Sequence, residues 1–168
     1  MSLLNRDAAD HQHWMGEALR EAAKAAERGE VPVGCVIVHA DPAVREGRVI
    51  GRGHNQTEML RDATAHAEML ALTQAAEALG NWRLTGCTLY CTVEPCTMCC
   101  GAMVLSRVTR LVYGAPDPKF GAVVSIADVL NNPRHNHKVQ VVAGVRADES
   151  AEMMKAFFQA RRNKQEGS

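Results

Sequence analysis

The sequence has no excess of positive or negative charge. Its 19 basic residues balance 19 acidic ones, so the formal net charge is zero. A protein that coats long nucleic acids normally carries a clear positive excess. The balanced total therefore argues against broad nucleic-acid binding. It is compatible with a small contact to nucleic acid, such as a single loop, made through a local basic patch.

Long apolar runs and an export signal are also lacking. No stretch reaches the length of about 18 apolar residues that a membrane-spanning helix requires. The first residues read Met-Ser-Leu-Leu-Asn-Arg-Asp, with an early acidic residue that is unlike a secretory signal. We therefore expect a cytoplasmic protein with no membrane partner.

The chain contains no linker, internal repeat or low-complexity segment. Its 168 residues, of which 46% are hydrophobic and 23% charged, suit one soluble domain with a substantial core. We therefore predict a single domain over residues 1–168.

Apolar periodicity places strands and helices in alternation. Strands are predicted at 33–39, 48–54, 87–93, 108–113 and 139–145, and helices at about 7–29, 65–79, 96–106, 125–130 and 148–164. Thr64 is expected to cap the second helix, and 55–64 to form a polar loop. The predicted class is α/β: a three-layer α/β/α sandwich with a mixed central sheet of about five strands.

Six cysteines are present, and three of them lie close together in sequence at Cys96, Cys99 and Cys100. Cysteines at such spacing make poor disulfides with each other and good metal ligands or redox groups. The remaining cysteines occupy apolar strands and are predicted to be inert core residues: Cys35, Cys87 and Cys91.

Two short motifs carry the chemistry. Thr64-Ala65-His66-Ala67-Glu68 offers an imidazole and a carboxylate, and Pro95-Cys96-Thr97-Met98-Cys99 offers two thiolates. One imidazole and two thiolates suit tetrahedral Zn²⁺ with a fourth position left for water. Glu68 would then remain off the metal and transfer protons, as a hydrolytic zinc site requires.

Each motif alone has a simpler interpretation. His66 could be a core or surface histidine, and Glu68 a solvated helix residue. Cys96 and Cys99 could be a thioredoxin-like redox pair or half of a structural zinc site. The combination of His-x-Glu with Pro-Cys-x-x-Cys is, however, the pattern of zinc nucleobase deaminases. These residues alone do not distinguish adenine from cytosine, because both bases present an amino group beside a ring nitrogen.

The sequence also resembles a family, the bacterial TadA-type tRNA adenosine deaminases of the zinc-dependent cytidine deaminase superfamily. The similarity runs from Trp14-Met15 to Phe157–Arg162. It is carried by the segments 30–34, 64–68, 93–96, 101–103, 114–119, 128–130 and 136–137. Asp41–Glu46 departs from the family as an apparent insertion in the first hairpin, and Cys100 stands where alanine is common.

The resemblance implies deamination of the wobble adenosine of a tRNA anticodon to inosine, by a homodimer with one zinc per chain. It implies His66, Cys96 and Cys99 as zinc ligands and Glu68 as the proton shuttle. Asn55 would contact the flipped base, and Asp117 the backbone of the anticodon loop.

Basic residues near the C-terminus give independent support for RNA binding. Lys155, Arg161, Arg162 and Lys164 form a strip that, with Lys119, Arg134, His135 and His137, could hold phosphates. The alternative is a solvated, frayed helix end. Two other functions stay open: a zinc deaminase of a free base or nucleoside such as guanine or cytosine, and a zinc-stabilised RNA-binding protein, against which Glu68 argues.

Overall fold

The computed structural model describes residues 3–40 and 47–167, so the insertion expected at Asp41–Glu46 lies outside the described residues. The helices are α1 (Leu3–Glu27), α2 (Thr57–Leu60), α3 (Ala67–Leu79), α4 (Thr97–Leu105) and α5 (Ala147–Glu166). The strands are β1 (Gly34–His39), β2 (Arg48–His54), β3 (Cys87–Val93), β4 (Arg110–Ala115) and β5 (Gln140–Val142). Among these elements, no helix is long and apolar enough to cross a membrane.

The five strands form one mixed sheet in the order β2-β1-β3-β4-β5. β1 is antiparallel to both of its neighbours, whereas β3, β4 and β5 are parallel. Strands β2, β3 and β4 therefore point the same way, and their carboxyl ends meet at one edge of the sheet. β1 begins at that same edge, which is where ligands bind in open α/β sheets.

Helices cover both faces of the sheet, which confirms the predicted α/β/α layers. On one face α1 packs against β1 and β3, with α5 against β4. The core on this side is formed by Met15, Ala18, Leu19, Val36, Val38, Tyr90 and Val112. On the other face α3 and α4 cover a larger core that includes Ile37, Leu89, Met103 and Leu111.

Helix α3 lies in backbone contact with β2 because two strand residues have no side chain. A Cβ at Gly53 would lie 2.2 Å from the carbonyl oxygen of Ala67, and one at Gly51 would lie 2.4 Å from that of Ala71. Any side chain at these positions would push the helix off the sheet. The two glycines thus allow the short distance between β2 and α3, the helix that begins beside His66.

The start of α3 differs from the sequence prediction. The helix begins at Ala67, with His66 as an N-cap that makes no side-chain cap bond. Thr64 does not cap the helix, because its hydroxyl and its backbone N–H both donate to Asp62. The expected polar loop over 55–64 also contains α2, whose first turn donates backbone N–H groups of Glu58 and Met59 to the buried Glu30.

The helix predicted over 125–130 is wrong. The segment folds as turns, with the backbone N–H of Ile126 donating to Gly121 and that of Val129 to Ala122. The N–H of Ser125 donates to the carboxylate of Glu94, and those of Ile126 and Val129 donate to carbonyls five and seven residues earlier, which is not the i to i−4 pattern of a helix. The final strand is also shorter than predicted, covering only Gln140–Val142.

Candidate metal centre and active site

A cavity of about 770 Å³ opens at the sheet edge where β2, β3 and β4 end. Its wall includes Asn55, directly after β2, Glu94, directly after β3, and Asp117, two residues after β4. Val33, just before β1, lies on the same wall. Strand direction therefore accounts for the convergence of residues that are far apart in sequence.

The predicted metal ligands meet at this cavity. His66 is the N-cap of α3, Cys96 is the N-cap of α4, and Cys99 follows in the first turn of α4. Their ligand atoms all lie within 4.8 Å of one another. The Sγ atoms of Cys96 and Cys99 are each 3.6 Å from Nδ1 of His66.

These distances fit a tetrahedral metal ion. With Zn–S near 2.3 Å and Zn–N near 2.05 Å, a tetrahedral angle separates a sulfur from a nitrogen by about 3.6 Å. The donor set is also the one that zinc prefers. The three residues can therefore hold a zinc ion with little rearrangement, and the distances indicate Nδ1 as the histidine ligand.

The surroundings favour a thiolate at Cys96. The hydrogen bond from the Cys99 thiol, aided by His66, lowers the pKa of Cys96 to about 4. Sharing that proton, together with burial, raises the pKa of Cys99 above its usual range. The N-terminus of α4 adds partial positive charge beside both sulfurs, which also stabilises the charged form that a metal requires.

Glu68 lies in the first turn of α3, only 3% exposed, on the wall of the cavity. Its Oε2 atom has no hydrogen-bond partner among the residues that the structure describes, although buried carboxylate oxygens are nearly always paired. Burial raises the pKa of Glu68 above that of an ordinary glutamate, against the opposing influence of His66. An unpaired, buried carboxylate oxygen beside three metal-binding atoms is suited to a solvent molecule or a substrate.

The arrangement does not favour a redox pair. A dithiol needs no third ligand, whereas His66 here approaches both sulfurs equally. The cysteines predicted to be core residues, Cys35, Cys87 and Cys91, are fully buried and unpaired. Burial raises the pKa of each, which keeps them as neutral thiols.

Asn55 connects the end of β2 to the start of α3. Its Oδ1 accepts a hydrogen bond from the backbone N–H of Ala67 at 3.0 Å, in place of the side-chain cap that His66 does not supply. Because an N–H donates only to the oxygen of the amide, this bond fixes which way the side chain points. The amide NH₂ of Asn55 is thereby left as the group available to a ligand in the cavity.

The predicted RNA-contacting residues divide into two groups. Asp117, Lys119, Lys155 and Arg162 line the cavity. Arg161 instead forms an ion pair with Glu58 at 3.7 Å, linking α5 to α2. Oδ1 of Asp117 accepts the backbone N–H groups of Lys119 and Phe120, so part of this carboxylate stabilises its own loop.

The other members of the predicted strip are not part of the cavity wall that the described residues form: Arg134, His135, His137 and Lys164. His137 lies within hydrogen-bonding distance, 2.6 Å, of the carbonyl oxygen of Val108. Three residues of the predicted strip therefore form a basic rim on the cavity: Lys119, Lys155 and Arg162.

Several cavity residues were not identified from the sequence. They are Val31, Val33, Thr57, Val93, Glu94, Phe120, Met154 and Phe158. Met154 and Phe158 lie on an apolar side of the last helix, and the sequence pattern does not tell whether such a side faces a core or a cavity. Glu94 could have been identified from the sequence, because a charged residue between a buried strand and the Pro-Cys motif is unusual.

Comparisons with known proteins agree with this geometry. The model of the MafB19-like deaminase family matches residues 9–162. A tRNA-specific adenosine deaminase of Bacillus subtilis is 47% identical over 155 residues, covering 92% of each chain. One of Agrobacterium fabrum is also 47% identical, over 92% of this chain and 97% of its own.

A solved structure from a study of A-to-I editing by tRNA:A34 deaminases superposes with a TM-score of 0.77. It is 48% identical in sequence, and the match covers 84% of this chain and 98% of that one. Family model, sequence relatives and structure thus agree over nearly the whole chain. The chain belongs to the deaminase family that includes the bacterial tRNA-specific adenosine deaminases.

Proposed function

We propose that this enzyme hydrolyses the wobble adenosine of a tRNA anticodon to inosine, releasing ammonia. The observation that carries the proposal is the juxtaposition, beside one cavity, of three residues that can hold a metal with a buried carboxylate, Glu68, whose Oε2 has no partner among the described residues. The similarity to tRNA-specific adenosine deaminases supplies the substrate.

The proposed cofactor is one Zn²⁺ per chain, held by His66, Cys96 and Cys99. Such an ion would supply Lewis acidity, making a water molecule nucleophilic near neutral pH. Two thiolates and a neutral imidazole balance its charge formally. The partial positive charge at the N-termini of α3 and α4 then favours a negatively charged attacking group.

Glu68 is the proposed acid and base. It accepts a proton from the attacking water and delivers it to N1 of adenine, as the water oxygen bonds to C6. It then carries the second proton to the amino group, which leaves as ammonia when the C6–N6 bond breaks. The raised pKa that burial gives Glu68 suits a group that must both accept and donate protons.

Asn55 is the proposed contact to the base. Because its Oδ1 is occupied by Ala67, the amide NH₂ would donate to an acceptor nitrogen of the extruded purine. A cavity of about 770 Å³ exceeds what one base needs and leaves room for the nucleotides that flank it.

RNA binding is proposed to use the basic rim of Lys119, Lys155 and Arg162 together with two aromatic residues of the wall, Phe120 and Phe158. Aromatic side chains provide faces on which unstacked bases pack, and the cations contact phosphates. A rim of this size agrees with a chain of zero net charge that binds one loop.

We also propose that the chain acts as a homodimer in the cytoplasm. The described residues expose large apolar side chains, each between 51% and 74% accessible: Met59, Leu60, Leu105, Val124 and Ile126. Surfaces of this kind are often covered by a partner. For the compartment, none of the six cysteines forms a disulfide, which agrees with a reducing environment. Light scattering should give twice the chain mass, and Leu105→Lys should shift it toward the monomer.

The decisive experiment uses an anticodon stem-loop RNA with adenosine at the wobble position. We expect inosine in this RNA, none in a matched RNA whose only adenosines lie outside the wobble position, and no ammonia from free guanine or cytosine. Ammonia from guanine without inosine in RNA would instead support a free-base deaminase. Tight RNA binding without any turnover would support the RNA-binding alternative.

A further inference from the structure

Glu94 is a buried carboxylate to which the proposed chemistry gives no part. It follows β3 directly, precedes Pro95 and Cys96, and is 3% exposed. It is not one of the three residues grouped as possible metal ligands. A buried charge is costly unless it is paired or fully hydrogen-bonded, so its presence here requires a physical reason.

The reason is a set of five hydrogen bonds to one loop, defined as the 117–125 loop. Oε1 accepts the backbone N–H groups of Val123, Val124 and Ser125 at 3.1, 2.8 and 3.0 Å. Oε2 accepts the backbone N–H of Asp117 at 3.1 Å and the hydroxyl of Ser125.

These bonds occupy the acceptor capacity of the carboxylate, which has about four lone-pair sites. Glu94 is therefore not available to a substrate or a metal, although it lies on the cavity wall. Burial on its own would raise the pKa of Glu94, but the hydrogen bonds from Ser125 and Val124 outweigh it and lower the pKa. Five donors face the group, an arrangement that favours a carboxylate over a carboxylic acid.

The loop is also fitted against the segment that carries the first thiol. Gly121 pairs with Cys96 as an isolated bridge, and the backbone N–H of Ala122 donates to the Pro95 carbonyl at 2.8 Å. A Cβ at Gly121 would lie 2.4 Å from the Glu94 carboxyl, so only glycine allows this approach. The carboxylate, the loop and the thiol segment form one packed unit.

The loop in turn supplies Asp117, Lys119 and Phe120 to the cavity wall. Phe120 is 66% exposed and has little packing of its own to hold it. The position of all three residues therefore depends on the conformation of the loop backbone. Both ends of the loop, at Asp117 and Ser125, donate backbone N–H groups to Glu94.

We infer that Glu94 is a positioning residue, whose carboxylate holds the 117–125 loop in one conformation and so builds this wall of the cavity before RNA binds. The part of the inference that concerns RNA rests on the proposed function, whereas the part that concerns the loop does not.

Hydrogen–deuterium exchange of the zinc-loaded protein without RNA tests the loop. In Glu94→Gln an NH₂ group replaces one of the two carboxylate oxygens. This group is a donor, so it cannot accept the hydrogen bonds that the loop N–H groups make to that oxygen. We expect peptides covering the 117–125 loop to exchange about tenfold faster or more, with zinc content unchanged.

Glu21→Gln is the matched control: Glu21 is equally buried, pairs with Lys24 and His54, and touches neither the loop nor the cavity. It should lower the melting temperature without changing exchange in the loop.

Ser125→Ala gives a milder test if Glu94→Gln folds poorly, because it removes one of the five donors from the loop side. It should accelerate exchange in the same peptides by a smaller factor. Loop exchange that matches wild type in both variants would overturn the inference, and so would loss of zinc from Glu94→Gln.

Kinetics with the stem-loop RNA separate positioning from chemistry. A loosened wall should raise KM for Glu94→Gln about tenfold while kcat stays within about threefold, the pattern of lost binding. A large fall in kcat at unchanged KM would place Glu94 in the reaction and refute the assignment. If the wild-type protein does not deaminate the RNA at all, the proposed function fails, and the exchange measurement still decides the role of Glu94.

Discussion

Two substitutions at Asn55 separate the structural use of this side chain from its proposed use in binding the base. Asn55 is 8% exposed, and its Oδ1 accepts the backbone N–H of Ala67, the first residue of α3. Asn55→Ala removes both the acceptor and the amide donor. Asn55→Asp keeps an acceptor oxygen at the start of the helix, and replaces the amide donor with a second, negatively charged acceptor.

The stability of the two variants should differ. In Asn55→Ala the buried N–H of Ala67 loses its partner, which costs about 1–3 kcal/mol. For a domain of this size each kcal/mol lowers the melting temperature by about 2–4 °C, so the loss should be about 2–12 °C. Asn55→Asp should stay within about 2 °C of wild type, because aspartate is a good acceptor at a helix N-terminus and its charge favours that end.

The activity of the two variants should fall together. A hydrogen bond from the amide to the base is worth about 1–3 kcal/mol, and about 1.4 kcal/mol corresponds to tenfold. We therefore expect kcat/KM on the stem-loop RNA to drop by about fivefold to 150-fold in both variants. Thermal melting and initial rates of inosine formation measure the two effects. Asn55→Asp with full activity would refute the base contact, and an Asn55→Asp protein as unstable as Asn55→Ala would refute the capping role.

The other predictions concern the metal, the carboxylate and the basic rim. Dialysis against a strong chelator should abolish activity and lower the melting temperature, and zinc alone should restore both; activity that survives metal removal would contradict a metal mechanism. Glu68→Gln should bind zinc in full, measured by metal analysis, but lose about a thousandfold or more in kcat, whereas loss of the metal would make Glu68 a ligand. Arg162→Ala should reduce the slope of log Kd against log salt by about one. Arg161→Ala, which breaks the ion pair with Glu58, should change the slope less. Equal slopes for the two variants would mean that RNA does not contact the arginine on the cavity in preference to the other one.

The strands and the grouping of His66, Cys96 and Cys99 follow from local sequence patterns. The predicted bounds of β2 and β3 agree with the structure: β3 is a largely apolar run of strand length, and β2 follows Glu46-Gly47 as the hairpin partner of β1. Strand direction then brings both motifs to one edge of the sheet, and spacing alone was enough to select His66, Cys96 and Cys99 as a group.

What the sequence did not predict depends on partners distant along the chain. The residues at 125–130 have helical periodicity, but the N–H of Ser125 donates to Glu94, about 30 residues earlier, and those of Ile126 and Val129 donate to Gly121 and Ala122. Arg161 and Arg162 are adjacent and chemically alike, and only the docking of α5 sends one to Glu58 and the other to the cavity. Such distinctions arise from packing between elements, which no local pattern encodes.

The contact between β2 and α3 also determines where new specificity can be engineered. With Gly51 and Gly53 beneath it, the helix that presents Glu68 rests on main-chain atoms, and there is no side-chain volume to trim or enlarge on that side. On the opposite wall, Met154 and Phe158 of α5 project into the cavity, and their size can change without lifting a helix. A combinatorial library aimed at other nucleobases is best placed on α5, with the two glycines left untouched.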